Sequence, residues 1–323
     1  MLLSLLLNVN LSFVLKYCKD TFYCMVGNDL FIKYLDYMLK LGYLRNYTST
    51  SETLREASFN FSNFYKYYKF IDSKWLEWFI GFVEGDGSIF TYKDNNRISF
   101  IITQNESRIL YHIKETLGFG IVKYDEGVKS FRFIVSDLPS LTILAHLFNG
   151  NLFLKHRIEQ LNKWINFLQY KSIPINLSSI EPVKISLNDG WLSGFTDAEG
   201  CFNVHITKRL ANTVGFNTKL RFILDQNDKY ALEILRDLLK TGFVSQRSEK
   251  LNSYRYTSNS LKGFPIIVNY FNLFTLKTIK KEAFQKWTDI YSMMINKEHL
   301  NQEGFSKIKI LAKSVNDKST LNE

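Results

Sequence analysis

The chain has 323 residues, 46% hydrophobic and 22% charged, enough apolar material for folded cores, which excludes wholesale disorder. Its formal net charge is +10 and aromatics reach 15%, which favours a polyanionic partner, nucleic acid before membrane. Cys18, Cys24 and Cys201 form no CxxC pair and sit beside no His cluster, so the pattern points to neither a disulfide framework nor a zinc site.

Residues 1–72 begin MLLSLLLNVNLSFVL, an apolar run interrupted by Asn8 and Asn10 and short for a membrane span. It lacks a basic start, and the first arginine is Arg45, so it matches neither a secretory signal nor a transit peptide. This segment reads as an N-terminal extension of unassigned order, helical over 29–44. No later stretch is a membrane-span candidate.

The first domain is expected over 73–168. A helix over 74–85 runs through WFIGFV and ends in GFVEGDGSI, Gly81–Ile89, where glycines and two acids crowd together. The strand-like runs GSIFTYK and RISFIITQ follow, then a helix over 106–117. A hairpin pairs 120–125 with 130–136, and a helix over 155–168 closes the unit. Residues 169–189 contain Pro174 and Pro182, half of the chain's 4 prolines, and read as an extended linker. The second domain, 190–300, repeats the plan. Its helix over 190–198 ends in GFTDAEGCF, Gly194–Phe202, and leads into CFNVHITK and TKLRFILD. A helix over 228–240, a hairpin of 242–247 with 253–258 and a helix over 280–296 complete it. Residues 301–323 form a C-terminal tail in this reading.

The two halves align in order. At an offset of 113, Trp78 meets Trp191, Gly81 meets Gly194 and Asp86 meets Glu199. FIITQNE then resembles FILDQND at an offset of 122, and SFRF resembles SYRY at 123, as RIEQLNKW resembles KKEAFQKW. An offset that grows once and then holds within one residue marks a tandem duplication of a unit of roughly 95 residues. The predicted fold class is therefore α+β, two copies of αββαββα, each with a four-stranded antiparallel sheet.

Period-two alternation gives every strand an apolar face and a polar one. Phe202, Val204 and Ile206 oppose Asn203, His205 and Thr207, while Leu220, Phe222 and Leu224 oppose Lys219 and Arg221. One polar strand face is usually just solvated. Basic faces recurring in both copies suggest a sheet that reads nucleic acid, with Lys123, Arg132, Lys208, Lys219, Arg221, Arg247 and Arg255 as contacts. The charge leans to the second half: 73–167 carries +1 and 191–323 carries +7.

Small residues four apart, Gly81 with Gly85 and Gly194 with Ala198, share one helix face and allow two backbones to approach. Packed there, the helices bring Asp86 and Glu199 together at their carbonyl ends, where negative charge accumulates. A hard divalent cation, Mg²⁺ or Mn²⁺, suits such oxygens, with the carboxylates of Asp86 and Glu199 and the backbone of Gly85 and Ala198 as the candidate donors. For one copy alone, a glycine C-cap with a solvated acid is the simpler reading. The duplication argues against it.

FIGFVEGDG and WLSGFTDAEG resemble the motif of LAGLIDADG homing endonucleases in their single-chain, two-motif form, over residues 75 to about 290. The resemblance implies domains joined at the motif helices about a pseudo-two-fold axis, with two sheets as a saddle over double-stranded DNA. It implies metal-dependent cleavage of both strands by a monomer. Asp86 and Glu199 fall on the metal-binding acids, while Glu84 and Asp197 read as structural. Gln104 and Gln226 match the polar residue near the scissile phosphates. Arg157 and Lys280 match the basic residue of the last helix, with Lys155 and Lys277 as neighbouring alternatives. Some members bind intron RNA as splicing maturases, which is the competing function. Richness in Phe and Tyr, 27 and 18 residues, with few prolines fits A/T-rich codons and an intron of an organelle genome, the mitochondrion.

Overall fold

The computed structural model describes residues 59–92, 97–178, 181–247 and 252–316. The helix expected over 29–44 lies outside them. Between α1 (Ser62–Tyr67) and the final helix, two copies of one plan follow each other. The first contains α2 (Ser73–Asp86), β1 (Gly87–Tyr92), β2 (Arg97–Gln104), α3 (Ser107–Leu117), β3 (Ile121–Asp125), β4 (Ser130–Val135), α4 (Leu138–Phe148) and α5 (Lys155–Tyr170). The second contains α6 (Trp191–Glu199), β5 (Gly200–Lys208), β6 (Phe216–Gln226), α7 (Lys229–Leu239), β7 (Phe243–Gln246), β8 (Tyr254–Ser258), α8 (Phe264–Leu273) and α9 (Lys280–Ile295). A 3₁₀ turn (Glu298–Leu300) and α10 (Gln302–Asn316) follow.

The sheets are antiparallel, in the orders β1-β2-β4-β3 and β5-β6-β8-β7. In the second sheet the predicted apolar face is buried at Phe202, Val204, Leu220, Phe222 and Leu224 and half-buried at Ile206; in the first, Phe100, Ile102, Phe133 and Val135 are buried. Local chemistry starts the helices. Asp72 accepts from Trp75 N–H at 3.1 Å to cap α2, and Asp137 and Asp228 cap α4 and α7 in the same way. The amphipathic α3 and α7 bury Ile109, Leu110, Ile113 and Leu117, or Leu232, Leu235 and Leu239.

Three expectations change. Each copy gains a helix before its last one, α4 and α8, short apolar runs that periodicity alone does not tell from buried strands. α4 buries Leu141, Leu144, Leu147 and Phe148, and α8 buries one face, Phe264, Ile267, Tyr270 and Phe271. Part of the segment 1–72, drawn as an extension, belongs to the core: Phe61, Phe64 and Ile71 are buried, and Asn60 N–H donates to Asn151 at 2.7 Å. The supposed tail 301–323 contains α10, which buries Phe305, Ile308 and Ala312 beside β5 and α9. Val183 and Ile185 of the linker are buried too. Among the described residues, no helix is long and apolar enough to cross a membrane.

Candidate active site

The motif helices α2 and α6 pack against each other along their glycines. A Cβ on Gly194 would overlap the carbonyl oxygen of Trp78, and one on Gly81 would overlap that of Trp191. A Cβ on Gly85 would collide with that of Ala198 and lie 3.2 Å from Glu199 Cγ. Only residues without bulk permit this approach.

A reciprocal pair of buried acids locks the crossing. Glu84 accepts from the Trp191 indole at 2.6 Å and from the backbone N–H groups of Phe153 and Leu154 at 2.9 and 2.6 Å. Asp197 accepts from the Trp78 indole at 2.8 Å and from Lys277 N–H, Thr278 N–H and the Thr278 hydroxyl at 2.7, 3.2 and 2.5 Å. Each acid therefore ties the opposite motif helix to the start of its own domain's last helix. Burial pushes Glu84 up to about 7, against the pull of its donors.

Asp86 and Glu199 end the two helices. The Gln104 side-chain amide donates to Asp86. Burial raises Asp86 to about 6, opposed by Lys280, Gln104 and Arg157. Burial, then the neighbouring Asp86, raises Glu199 to about 7, opposed by Lys280. Asp86 thus lies near enough to Glu199 to raise its pKa, and the Cγ of Glu199 lies beside Gly85, the residue before Asp86. Oxygen donors with uncompensated negative charge fit Mg²⁺ or Mn²⁺ better than a softer metal. Among the described residues no group of three or more His, Cys, Asp or Glu side chains gathers to hold a metal, so such an ion would depend on this pair and on backbone oxygens.

The basic residues arrive by equivalent routes. Arg157 donates to the carbonyls of Glu84, at 3.2 and 3.1 Å, and Gly85, at 3.2 Å. Lys280 Nζ donates to those of Thr196 and Ala198 at 3.1 and 2.7 Å. The Gly85 and Ala198 carbonyls thus already accept from a cation and have one lone pair each left. The neighbouring lysines lie elsewhere: Lys277 Nζ sits 5.5 Å from the Trp78 ring centroid, and exposed Lys155 lines a cleft with 181–185. The glutamines differ. Gln226 turns its carbonyl oxygen to Asn227 N–H, at 2.7 Å.

The expected contact residues are on the outer sheet faces with one exception. Lys123 pairs with Arg132 across β3 and β4, Lys219 with His205 and Arg221 with Asn203 across β5 and β6. Arg221 donates to Asn203 Oδ1 at 3.0 and 2.7 Å. Lys208 is the exception: strand parity sets it with Val204 and Ile206, opposite to Lys219, at the exposed end of β5. Sequence reading missed Asp125 and Asp225, which bind Arg132, Arg247 and Arg255. An acid within an otherwise basic strand face, as in FILDQND, was the available signal.

Two tandem α+β domains joined by crossed motif helices, each ending in an acid, define a pseudo-symmetric two-domain class. The LAGLIDADG endonuclease model matches residues 79–168 and 192–291, both copies, and the chain belongs to that family. It is 40% identical over 257 residues to the probable intron-encoded endonuclease 4 of Neurospora crassa, across 77% of this chain and 45% of that protein. It is 27% identical to the intron-encoded RNA maturase bI4 of Saccharomyces cerevisiae, across 67% of this chain and 35% of that one. The chain thus spans less than half the length of either relative. Among solved structures, the LAGLIDADG meganuclease I-AabMI bound to uncleaved DNA superposes with a TM-score of 0.63 at 26% identity, over 75% of this chain and 99% of that one.

Proposed function

We propose that this chain is a monomeric, intron-encoded, site-specific endonuclease that hydrolyses both strands of double-stranded DNA. The observation that carries this is the convergence of Asp86 and Glu199 at paired helix ends, each beside a cation from its own domain's last helix. Family membership and the DNA-bound meganuclease neighbour support DNA as the substrate. A divalent ion, Mg²⁺ or Mn²⁺, held by Asp86 and Glu199 would supply activation of water and stabilisation of the leaving oxygen. Arg157 and Lys280 steady charge that builds on the phosphates and keep the helix-end carbonyls from repelling them. Gln104 orients Asp86. Lys123, Lys219, Arg221 and their neighbours bind the duplex along the sheets, Lys208 from the ribbon's end. Domains of 73–168 and 190–300, widened by α1 and α10, act as the two half-site readers. The likeness to intron-encoded relatives and the A/T-rich composition support coding in a mitochondrial intron.

The test is cleavage of a library-selected duplex with Mg²⁺. Asp86→Asn or Glu199→Gln should abolish double-strand cleavage while binding persists, and a variant that still cuts both strands at the parent rate would refute the shared site. A second reading, binding of the host intron RNA as a maturase, is favoured by the Saccharomyces cerevisiae relative. A splicing assay on that intron, with and without the chain, tests it independently of the two acids.

A further inference from the structure

On each outer sheet face one arginine lies directly across from the residue preceding an active-site glutamine: Arg132 opposite Thr103, and Arg255 opposite Asp225. Both are held by a carboxylate. Arg255 donates Nε and Nη2 to the two Asp225 oxygens, each at 2.7 Å, and Arg247 Nη1 reaches the same acid at 3.0 Å. Arg132 Nη1 lies 2.7 Å from Asp125 Oδ2. The arginine side chains are 29% and 32% exposed, so they are pinned rather than free in solvent.

The acids are not repeat equivalents. Asp125 ends β3, whereas Asp225 lies in β6, at the position that Thr103 fills in the first copy. An acid–arginine pair has been built twice from different positions, bidentate at Arg255 and through a single Nη1 contact at Arg132, which duplication alone does not produce. An acid on a surface that grips phosphate opposes binding, because affinity there comes from positive charge. Beside a neutral base edge it costs little, and it orients the guanidinium. With Nε and one Nη2 hydrogen committed, Arg255 keeps Nη1 and the other Nη2 hydrogen, two parallel donors at its tip. Arg132 meets its acid through Nη1 alone, its Nε buried and unpartnered, and keeps Nη2 and the other Nη1 hydrogen. Two such donors are what guanine O6 and N7 accept in the major groove.

We propose that Asp125 and Asp225 are specificity-determining positioning residues that hold Arg132 and Arg255 as readers of two guanines, at positions equidistant from the centre of the target. This rests on the DNA-binding reading above.

The full chain would be used to select duplexes from a randomised library by binding without metal. The selected target should carry guanine at two matched distances from its centre. Asp225→Asn should lower the preference for one of these guanines roughly ten- to hundredfold, and Asp125→Asn the other. Affinity for random DNA should stay level or rise, because an acid has been removed. A merely structural role would instead lower binding to all sequences alike. Arg255→Lys, which keeps the charge and loses the fork, should give the same loss of preference with an unchanged salt dependence. That variant carries the test if Asp225→Asn does not fold. A target without matched guanines, or variants with full discrimination, would overturn the proposal while leaving cleavage intact. Failure to select any duplex would overturn it together with the nuclease reading.

Discussion

Desolvation dominates the residues of the site, and it fixes the sign of their pH dependence. The folded chain holds the Glu199 proton longer, since its pKa rises from 4.5 to about 7. Ionising it therefore costs stability as pH climbs through that window, and the same holds for Asp86, whose pKa rises from 3.8 to about 6. A cation bound between them needs both ionised, so protons compete with it at low pH. Mg²⁺ or Ca²⁺ should raise the melting temperature more at pH 8 than at pH 6, and Asp86→Asn should remove the increment. Equal increments at the two pH values would contradict this assignment. Glu84 makes a different case, because it is structural. Glu84→Gln replaces an acceptor oxygen with an amide donor that faces donors, which should cost about 1–3 kcal/mol in urea unfolding. An unchanged midpoint would show that its three partners find other acceptors.

Among the elements, the crossing of α2 and α6 has the least room. Gly194→Leu puts atoms where the Trp78 carbonyl lies, so the helices must separate and carry Asp86 and Glu199 apart. Cleavage should fall at least a hundredfold, although no charged group changes, or the protein should fail to accumulate. A fully active Gly194→Leu variant would mean the helices do not cross here. The final helix makes the second case. Removing α10 uncovers the surfaces against which Phe305, Ile308 and Ala312 are buried. Truncation after Leu300 should therefore lower the melting temperature by several degrees, whereas a true tail would be dispensable.

At the scale of the whole molecule, the proposed site takes one acid from each half. Asp86 comes from the first copy and Glu199 from the second, and Glu84 and Asp197 each bind the other half's tryptophan. A fragment of 185–323, if soluble, should bind DNA weakly through its +6 charge and fail to cut. The fragment 73–167 should bind more weakly still. Each exposes a motif-helix face, so aggregation is expected of them singly. Co-expression of the two should restore cleavage in a plasmid-nicking assay. Cutting by either fragment alone would show that the carboxylates need not be paired.

Two kinds of information separate here. The duplication, the strand faces and the matched acids Asp86 and Glu199 were legible in sequence, because alternation and repetition are local patterns along the chain. Glycines spaced four apart announced a close helix crossing for the same reason. What sequence could not supply was anything decided by partners distant in the chain. The helices α4 and α8 are short and mostly apolar, so their period is hard to tell from that of a buried strand. The segment around Phe61 and Phe64 looks like an extension until Asn151, 91 positions away, closes on Asn60. Lys208 was assigned by its charge, whereas the pairing register decides its face. Asp125 and Asp225 were overlooked because their meaning lies in the arginines of neighbouring strands. Composition and pattern determined the fold class and the paired acids. Which donors hold those acids, and which cations answer them, was decided by packing, since hydrogen bonds and desolvation act between residues that only the folded chain brings together.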